Sequence, residues 1–418
     1  MGSNFGITLI HADYNTASMR TVFTLLISAT ICLAQGDVDE GILKNIPVAT
    51  KAFVDDHTVA GVVTMVLHNG KVIEFDAEGM ADIDASKPMQ KDTIFQIMSM
   101  TKPFTGVGIM MLAEEGKLGL RDPVERYLPE FHGLHVVTTD GPESARTSEP
   151  IRAITIRDLM THTSGMFDLP SAELHDYYQM SISLTDLMKP FARQSLLFQP
   201  GTHWSYSSPG IDILGRIIEV CSGQKYEDFI ADRLLKPLGM KDSFFFPDAA
   251  HIPRISMVYE GHGKGAALTK SPSTILGGDP AKHREGAVDP APSWGLESTA
   301  EDLSHFYQMM LDGGSYKGRR YLSEYSVKLM TEVHTGDLSP SGWMGGSGYG
   351  LTWEVVKDPY GELEGHSIGT YGHGGAFGTQ GWVDPKKNMI TIMLIQRSNG
   401  GTEALKYAVM TMAEAAVK

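Results

Sequence analysis

A serine and a lysine spaced three residues apart could form the centre of a hydrolase. The sequence S-M-T-K runs from Ser99 to Lys102, after an extended run at 93–97 and at the start of an apolar helical pattern over 99–115. Residues at i and i+3 share one face of a helix, and the helix N-terminus adds positive potential. A lysine that burial or a cationic neighbour keeps neutral can take the serine proton. The sequence therefore predicts Ser99 as a nucleophile, while a second copy, S-G-Q-K at 222–225, is interpreted as a surface turn.

A tyrosine in a serine-rich loop could join this pair. Tyr206 opens the sequence Y-S-S, which ends at Ser208. Beside a lysine, a phenol could ionise more easily and serve as a base and proton shuttle. Taken alone, Tyr206 is more simply a packed aromatic, so its catalytic interpretation depends on Lys102 lying next to it.

A third candidate stands in the C-terminal part of the chain. The sequence H-G-G-A at 373–376 enters a strand-like run at 378–383. Gly374 and Gly375 would let a substrate lie along the strand edge. The backbone N–H of Ala376 could pair with that of Ser99 as an oxyanion hole. A plain glycine-rich turn that begins at His373 is the alternative.

The composition removes several other classes of protein. The chain has 418 residues, of which 42% are hydrophobic and 20% are charged, as in a globular protein. Its formal net charge of −15 argues against a nucleic acid or an anionic membrane as a partner. Two cysteines exclude a disulfide scaffold and a cysteine-rich zinc module. The sequence has no G-x-S-x-G, no H-E-x-x-H and no closely spaced His/Asp/Glu set, so neither a metal nor a cofactor is expected.

The N-terminus has the pattern of a targeting segment. Met19 and Arg20 precede an apolar run at 22–34, VFTLLISATICLA, which is similar to a secretory signal. The run is too short to span a bilayer comfortably, so we expect no integral membrane span in the mature chain. A buried helix or strand is the alternative. We expect a periplasmic or secreted protein if the signal operates, and a cytoplasmic one otherwise; the oligomeric state stays open.

The hydrophobic pattern predicts the elements that must position the candidate residues. Helical spacing occurs at 39–56, 99–115, 156–161, 182–193, 209–221, 226–235, 299–312 and 402–417. Strand-like runs occur at 59–67, 72–75, 349–356, 378–383 and 389–396, and Asn69-Gly70 predicts a hairpin turn. Residues 260–292 predict a long loop. We therefore expect an α+β domain built from 37–130 and 286–418, a mostly helical domain at 131–285, and an N-terminal extension at 1–36.

The order S-x-x-K, Y-x-[S/N], H-G-G resembles the serine β-lactamase and penicillin-recognising hydrolase superfamily. Further stretches that resemble it are FQIMSMTKP at 95–103, ITIRDLMTHTSG at 154–165, FQPGTHWSY at 198–206, PLGM at 237–240 and residues 372–384. The resemblance covers about residues 40–415. It is greatest to the class C-like branch, which contains the family VIII carboxylesterases.

The resemblance implies a β-lactamase/transpeptidase-like fold, with an antiparallel sheet flanked by helices and a mostly helical second domain. It implies that Ser99 is acylated, and that Lys102 and Tyr206 are the general base and proton relay. The backbone N–H groups of Ser99 and Ala376 would hold the oxyanion. The glycine pair Gly374-Gly375 would line the substrate edge.

Two departures from the family pattern favour an ester as the substrate. Ser208 stands where a β-lactamase of this branch usually has asparagine, and His373 stands where it usually has lysine. An ordinary histidine is mostly neutral at pH 7, so it offers a substrate carboxylate no fixed charge. The sequence therefore predicts a serine carboxylesterase that acts on short-acyl esters. A β-lactamase or D-amino-acid peptidase, with Arg397 or Lys270 as the carboxylate receptor, is the first alternative, and a non-catalytic penicillin-recognising protein is the second.

Overall fold

A β-hairpin at Asn69-Gly70 begins the main sheet, as the sequence predicts. Strand β1 (Gly61–His68) pairs with β2 (Lys71–Asp82) in antiparallel register, with Val63 opposite Ala77. Asn69 and Gly70 have φ angles of 51° and 70°. Two consecutive left-handed residues form the turn whose twist matches that of the flanking strands.

The structure is a computed structural model that describes residues 37–138, 146–168, 175–262, 265–272, 283–338, 345–361 and 365–418. The expected signal segment at 1–36 lies outside the described residues. The helices and strands of the fold belong to one compact unit, Glu40–Lys418.

The helices are α1 Glu40–Leu43, α2 Asn45–Asp55, α3 Lys102–Glu114, α4 Ile156–Met160, α5 His175–Tyr178, α6 Leu184–Ala192, α7 Ser208–Ser222, α8 Tyr226–Ile230, α9 Lys236–Leu238, α10 Ala300–Leu311, α11 Glu324–Thr331 and α12 Glu403–Ala416. The further strands are β3 Lys87–Pro88, β4 Phe95–Gln96, β5 Val136–Thr138, β6 Arg146–Ser148, β7 Tyr259–Glu260, β8 Thr269–Lys270, β9 Glu297–Ser298, β10 Ser315–Tyr316, β11 Arg319–Arg320, β12 Ser347–Tyr349, β13 Glu354–Val356, β14 Tyr371–Gly374, β15 Gln380–Asp384, β16 Met389–Leu394 and β17 Arg397–Ser398.

The main sheet joins the two ends of the chain. Its strand order is β12-β13-β14-β15-β16-β1-β2-β3, and each of these neighbouring pairs is antiparallel. β16 is buried at every position and β1 at all but its last. Strands buried on both faces need cover on both sides, and α2, α10 and α12 pack against the sheet. The fold is α+β, with an antiparallel sheet flanked by helices, as expected.

Helix α3 is a core helix that carries the candidate lysine into the protein. Every residue from Lys102 to Leu112 is buried. Pro103 lies in its first turn, where the missing N–H costs no hydrogen bond. α3 packs closely on α7, since a side chain at Gly108 would meet Ile218 at 2.9 Å. The two helices therefore bring the segments that precede them, at 98–101 and at 206–207, to the same place.

Several predicted element bounds need correction. The helix expected at 39–56 is two helices, α1 and α2, and the pattern at 226–235 ends in a wider π-helical turn, Ala231–Leu235. The strand expected at 349–356 is the pair β12 and β13, because the chain reverses between them with Thr352 at a φ of 69°. The H-G-G segment does not enter β15; it ends the separate strand β14, because Gly374 already pairs with Gln380 across the turn.

The division into two domains at about 130 and 285 stays a prediction. Within the described ranges, no helix is both long and apolar enough to cross a membrane.

Candidate active site

Ser99 lies in a tight turn that is fixed from both sides. The 3-10 turn Met98–Thr101 precedes α3, and Met98 has a left-handed φ of 51°. A left-handed backbone conformation costs a non-glycine residue about 1 kcal/mol, which the surrounding contacts must offset. Thr101 Oγ1 donates to the Met98 carbonyl at 2.7 Å and accepts from the Leu296 N–H at 3.1 Å. These bonds hold the Ser99 hydroxyl at the wall of a cleft.

Lys102 lies fully buried beside Ser99. Its Nζ is 3.0 Å from Oγ of Ser99. Nζ also donates to the Ser293 carbonyl at 2.9 Å and lies 3.4 Å from the Ser208 hydroxyl. Burial lowers the pKa of Lys102 to about 7, although two nearby carboxylates oppose this shift. At neutral pH, a large share of the lysine is therefore a free amine with a lone pair.

Tyr206 faces the same lysine, but its phenol differs from the expectation. Nζ of Lys102 lies 4.6 Å from the centre of the Tyr206 ring. The next residue, Ser207, caps α7 by accepting from the Gly210 N–H at 3.0 Å. Burial raises the pKa of the Tyr206 phenol above its ordinary value, and an interaction with Ser99 only partly opposes this. The expectation of an easily ionised phenol is therefore wrong: Tyr206 keeps its proton, and Lys102 is the group able to accept one.

The H-G-G-A segment forms a tight turn between β14 and β15. The Gly375 N–H donates to the Thr379 carbonyl at 2.8 Å, and Thr379 Oγ1 donates to the Ile97 carbonyl at 3.1 Å. A side chain at Gly375 would overlap both Thr379 and Ile97. The turn is therefore pressed against the segment that leads to the nucleophile. Ala376 and Ser99 consequently line the same cleft.

His373 belongs to a chain of buried hydrogen bonds that fixes its tautomer. Its Nδ1 lies 2.6 Å from the Gly374 carbonyl, which can only accept, so Nδ1 carries the proton. At the other end, the Ser207 N–H donates to Nδ1 of His162 at 3.1 Å, so a neutral His162 carries its proton on Nε2. The Tyr349 hydroxyl lies 3.1 Å from Nε2 of His162 and 3.0 Å from Nε2 of His373. It therefore accepts from His162 and donates to His373.

Both imidazoles in this row of hydrogen bonds, His162 and His373, are uncharged at neutral pH. Burial lowers the pKa of His373 to about 3, and the charge of Lys102 adds to the shift. Burial also lowers the pKa of His162 well below its ordinary value. The edge of β14 therefore presents the cleft with a neutral ring whose position is fixed.

The cleft that joins these groups has a volume of about 740 Å³. One part of its wall is aromatic, with Tyr177, Tyr178 and Trp294. Another part carries charged side chains: Arg397, Glu403 and Lys406. Lys270 instead pairs with Asp82 and Asp84, at 3.4 and 3.2 Å.

The second S-x-x-K copy is a surface turn, as predicted. It follows α7, and Gly223 caps that helix with a φ of 73°. Ser222 Oγ accepts the Gln224 N–H at 3.1 Å, and Lys225 is exposed. Across the part of the chain that is described, no group of three or more His, Cys, Asp or Glu side chains could hold a metal ion.

The sequence analysis missed four residues of this site. His162 packs against the Tyr206 ring and is hydrogen-bonded to Tyr349. Ser293 accepts from Lys102, and its N–H donates to Asp212 on α7. Asp212 left no signal of burial, because Arg216 and Glu219 follow it at the spacing of an ordinary polar helix face. For the other three residues, the neighbouring sequence does not indicate which distant residues they contact.

The fold and the site define a serine hydrolase, and sequence comparison supports the same class. The chain matches the beta-lactamase family over residues 49–412, and it belongs to that family. Protein Rv1367c of Mycobacterium tuberculosis is 35% identical over 358 residues, which cover 82% of this chain and 87% of that protein. Esterase EstB of Burkholderia gladioli is 28% identical over 375 residues, which cover 83% and 88%. This chain also superposes on the solved structure of EstCE1, a hydrolase with promiscuous acyltransferase activity, with a TM-score of 0.74. The superposition covers 90% of this chain and 99% of EstCE1, at 22% sequence identity.

Proposed function

We propose that this serine hydrolase is a carboxylesterase that cleaves short-acyl esters through an acyl-enzyme on Ser99. The observation that carries the proposal is that both ring nitrogens of His373, at the cleft, are already engaged in hydrogen bonds. Its Nε2 accepts from Tyr349 and its Nδ1 donates to Gly374, so it offers a substrate carboxylate neither a charge nor a free N–H. An uncharged ester needs no such partner. The similarity to Esterase EstB supports the same choice.

Acylation would begin with the free amine of Lys102. The Ser99 proton passes to Nζ, which is 3.0 Å away, while Oγ bonds to the ester carbonyl carbon. The carbonyl electrons move to oxygen, and the N–H groups of Ser99 and Ala376 would stabilise that charge. When the C=O bond forms again, the alkoxide leaves with a proton from the Tyr206 phenol. The Lys102 ammonium then returns a proton to Tyr206, and both groups are neutral again.

Deacylation would use the same groups with water as the nucleophile. Water gives a proton to Lys102 and its oxygen bonds to the acyl carbon. The C–Oγ bond then breaks, the Lys102 ammonium gives that proton to Oγ of Ser99, and the acid is released. An ester suits this set of groups because an alkoxide needs less acid assistance than an amine to leave.

A β-lactamase or D-amino-acid peptidase is the second candidate, and one observation favours it. Arg397 lines the same cleft, so a cation other than His373 could receive a carboxylate. Its side chain is 93% buried and donates to the Thr58 carbonyl, which limits its reach. Lys270, the other sequence candidate, is held in its pairs with Asp82 and Asp84.

The deciding experiment compares hydrolysis of p-nitrophenyl butyrate and of a chromogenic cephalosporin by the same preparations. We expect fast ester turnover, slow cephalosporin turnover and loss of both in Ser99→Ala. Ser222→Ala is the matched control, since Ser222 is the serine of the exposed S-x-x-K copy, and it should keep wild-type rates. Tyr206→Phe should lower ester kcat/KM by about two to four orders of magnitude.

Each result has a defined meaning. Fast cephalosporin turnover by the wild type would make the chain a β-lactamase and reject the argument from His373. Full activity of Ser99→Ala would remove Ser99 from the mechanism. An unchanged rate in Tyr206→Phe would refute the proton relay, whatever the substrate.

A further inference from the structure

A buried carboxylate on α7 lies behind the lysine. Asp212 has 0% exposure and follows Tyr206 by less than two helical turns. Its Oδ1 accepts the Ser293 N–H at 2.9 Å, and its Oδ2 accepts the Tyr177 hydroxyl at 2.8 Å. The described residues give it no direct ion pair. Burial of a carboxylate is costly unless hydrogen bonds or an ion partner compensate it, and these two hydrogen bonds do so in part.

Asp212 holds the peptide segment that binds the lysine. The Ser293 N–H donates to Asp212, and the Ser293 carbonyl accepts from Lys102 Nζ at 2.9 Å. The same segment is anchored next door, where Thr105 Oγ1 donates to the Pro292 carbonyl at 2.7 Å. A side chain at Gly215 of α7 would overlap Pro292, so the helix and the segment are in close contact. One residue, Ser293, therefore connects Asp212 to Lys102.

The contacts of Nζ show why this support matters. A free amine has two N–H groups and one lone pair. The Ser293 carbonyl can only accept, so it takes one N–H, and the Ser208 hydroxyl lies 3.4 Å away as a partner for the other. The lone pair is then left for the Ser99 hydroxyl. If Ser293 moved, the amine could rotate and present an N–H to Ser99 instead.

We propose that Asp212 is a positioning residue that fixes the Ser293 carbonyl and, through its negative charge, sets the proton affinity of Lys102. The proposal rests on the proposed roles of Ser99 and Lys102, but not on the class of substrate. Burial raises the pKa of Asp212 to about 6, so this carboxyl is mostly ionised at pH 7 and above. An anion near an amine favours the ammonium form. Asp212 raises the pKa of Lys102 more than Asp168, the other nearby carboxylate, does.

Other titratable groups also face this pair, and the test must leave them in place. Those that face Lys102 are Ser99, Tyr206, Asp168, His162 and His373. Those that face Asp212 are Tyr177, Tyr226 and Asp289. The tyrosines stay protonated and the two histidines stay neutral near pH 7, because burial shifts each of them away from that range.

The test measures the rate at which a fluorophosphonate labels Ser99, from pH 5 to pH 9. This probe reports nucleophile activation without depending on the natural substrate. Asp212→Asn keeps an oxygen for the Ser293 N–H and removes the charge, so the acid limb of labelling should move to lower pH by about one unit. Asp302→Asn is the matched control: Asp302 is also buried and accepts from Ser243 Oγ at 2.8 Å, but on α10. In Asp302→Asn, the acid limb of Ser99 labelling should stay at the wild-type pH.

An acid limb that stays in place in Asp212→Asn overturns the proposal, whether or not the labelling rate falls. If Asp212→Asn does not fold, Tyr177→Phe decides. That variant removes a hydrogen bond that stabilises the ionised Asp212, so its limb should move in the same direction by a smaller amount, and an unmoved limb overturns the proposal. Labelling of Ser99 without ester turnover would reject the esterase and leave this inference standing. A failure of Ser99 to label in the wild type would reject both.

Discussion

The Tyr349→Phe substitution removes the one hydroxyl that joins His162 to His373. In the wild type, this oxygen lies 3.1 Å from Nε2 of His162 and 3.0 Å from Nε2 of His373. The variant leaves one imidazole N–H and one imidazole lone pair buried without a partner. Each such group costs about 1–3 kcal/mol, so we expect the free energy of unfolding to fall by about 3 kcal/mol.

This loss should be visible as a lower melting temperature. For the unit Glu40–Lys418, an unfolding entropy of about 0.8 kcal/mol/K converts the loss into about 4 °C of Tm. The assay is differential scanning calorimetry at pH 8, where Lys102 is mostly a free amine. Imidazole nitrogen NMR of the wild type should also show the proton on Nε2 of His162 and on Nδ1 of His373.

Tyr307→Phe is the matched control for the same chemical change. Tyr307 is equally buried, but its hydroxyl has no hydrogen-bond partner among the described residues. Its removal should leave Tm unchanged or raise it slightly, since a buried hydroxyl without a partner is itself unfavourable. If Tyr349→Phe lowers Tm no more than Tyr307→Phe does, the hydrogen-bonded chain makes no net contribution. The tautomers are tested separately by the NMR measurement, and a proton on Nε2 of His373 would refute them.

Two further predictions concern activity. Burial lowers the pKa of Lys102 to about 7, so the amine becomes ammonium as the pH drops below 7. In that range, kcat/KM for p-nitrophenyl butyrate should fall about tenfold per pH unit. A flat profile between pH 5 and 7 would contradict the neutral lysine. Gly375→Ala should abolish esterase activity, because the new methyl group would overlap Thr379 and the Ile97 carbonyl. In Gly374→Ala, the methyl group would meet only the flexible end of the Gln380 side chain, at 2.9 Å, so this variant should retain most activity. Equal activity of the two alanine variants would show that the turn can move without loss.

The sequence located the candidate centre because its parts are local patterns. Ser99 and Lys102 are three residues apart at the start of a helix, and their contact at 3.0 Å follows from helical geometry. Asn69-Gly70 likewise predicted a hairpin, since two left-handed residues suit that turn. Apolar runs near the two ends of the chain predicted the strands that pair as β1 and β16, whereas no strand was predicted at β14.

The state of each group could not be predicted in the same way, because protonation depends on burial and on distant partners. An aspartate and a serine 81 positions apart, Asp212 and Ser293, share one hydrogen bond, and no local pattern indicates it. The pKa of Tyr206 was expected to fall beside a lysine, yet burial raises it. Desolvation of the phenol outweighs the attraction of an amine that is only partly charged near pH 7.

The amino-acid sequence by itself determined which residues meet within one turn of chain: the nucleophile with its lysine, the caps, the hairpin and the glycine pair. Backbone geometry over a few residues is enough to fix these contacts. Only the tertiary structure decided that the lysine is the group able to accept a proton, that the phenol keeps its own, and that Tyr349 and Gly374 hold both nitrogens of the His373 ring. These properties depend on the exclusion of water and on partners from other elements, and both arise only when the sheet and the helices close around the cleft.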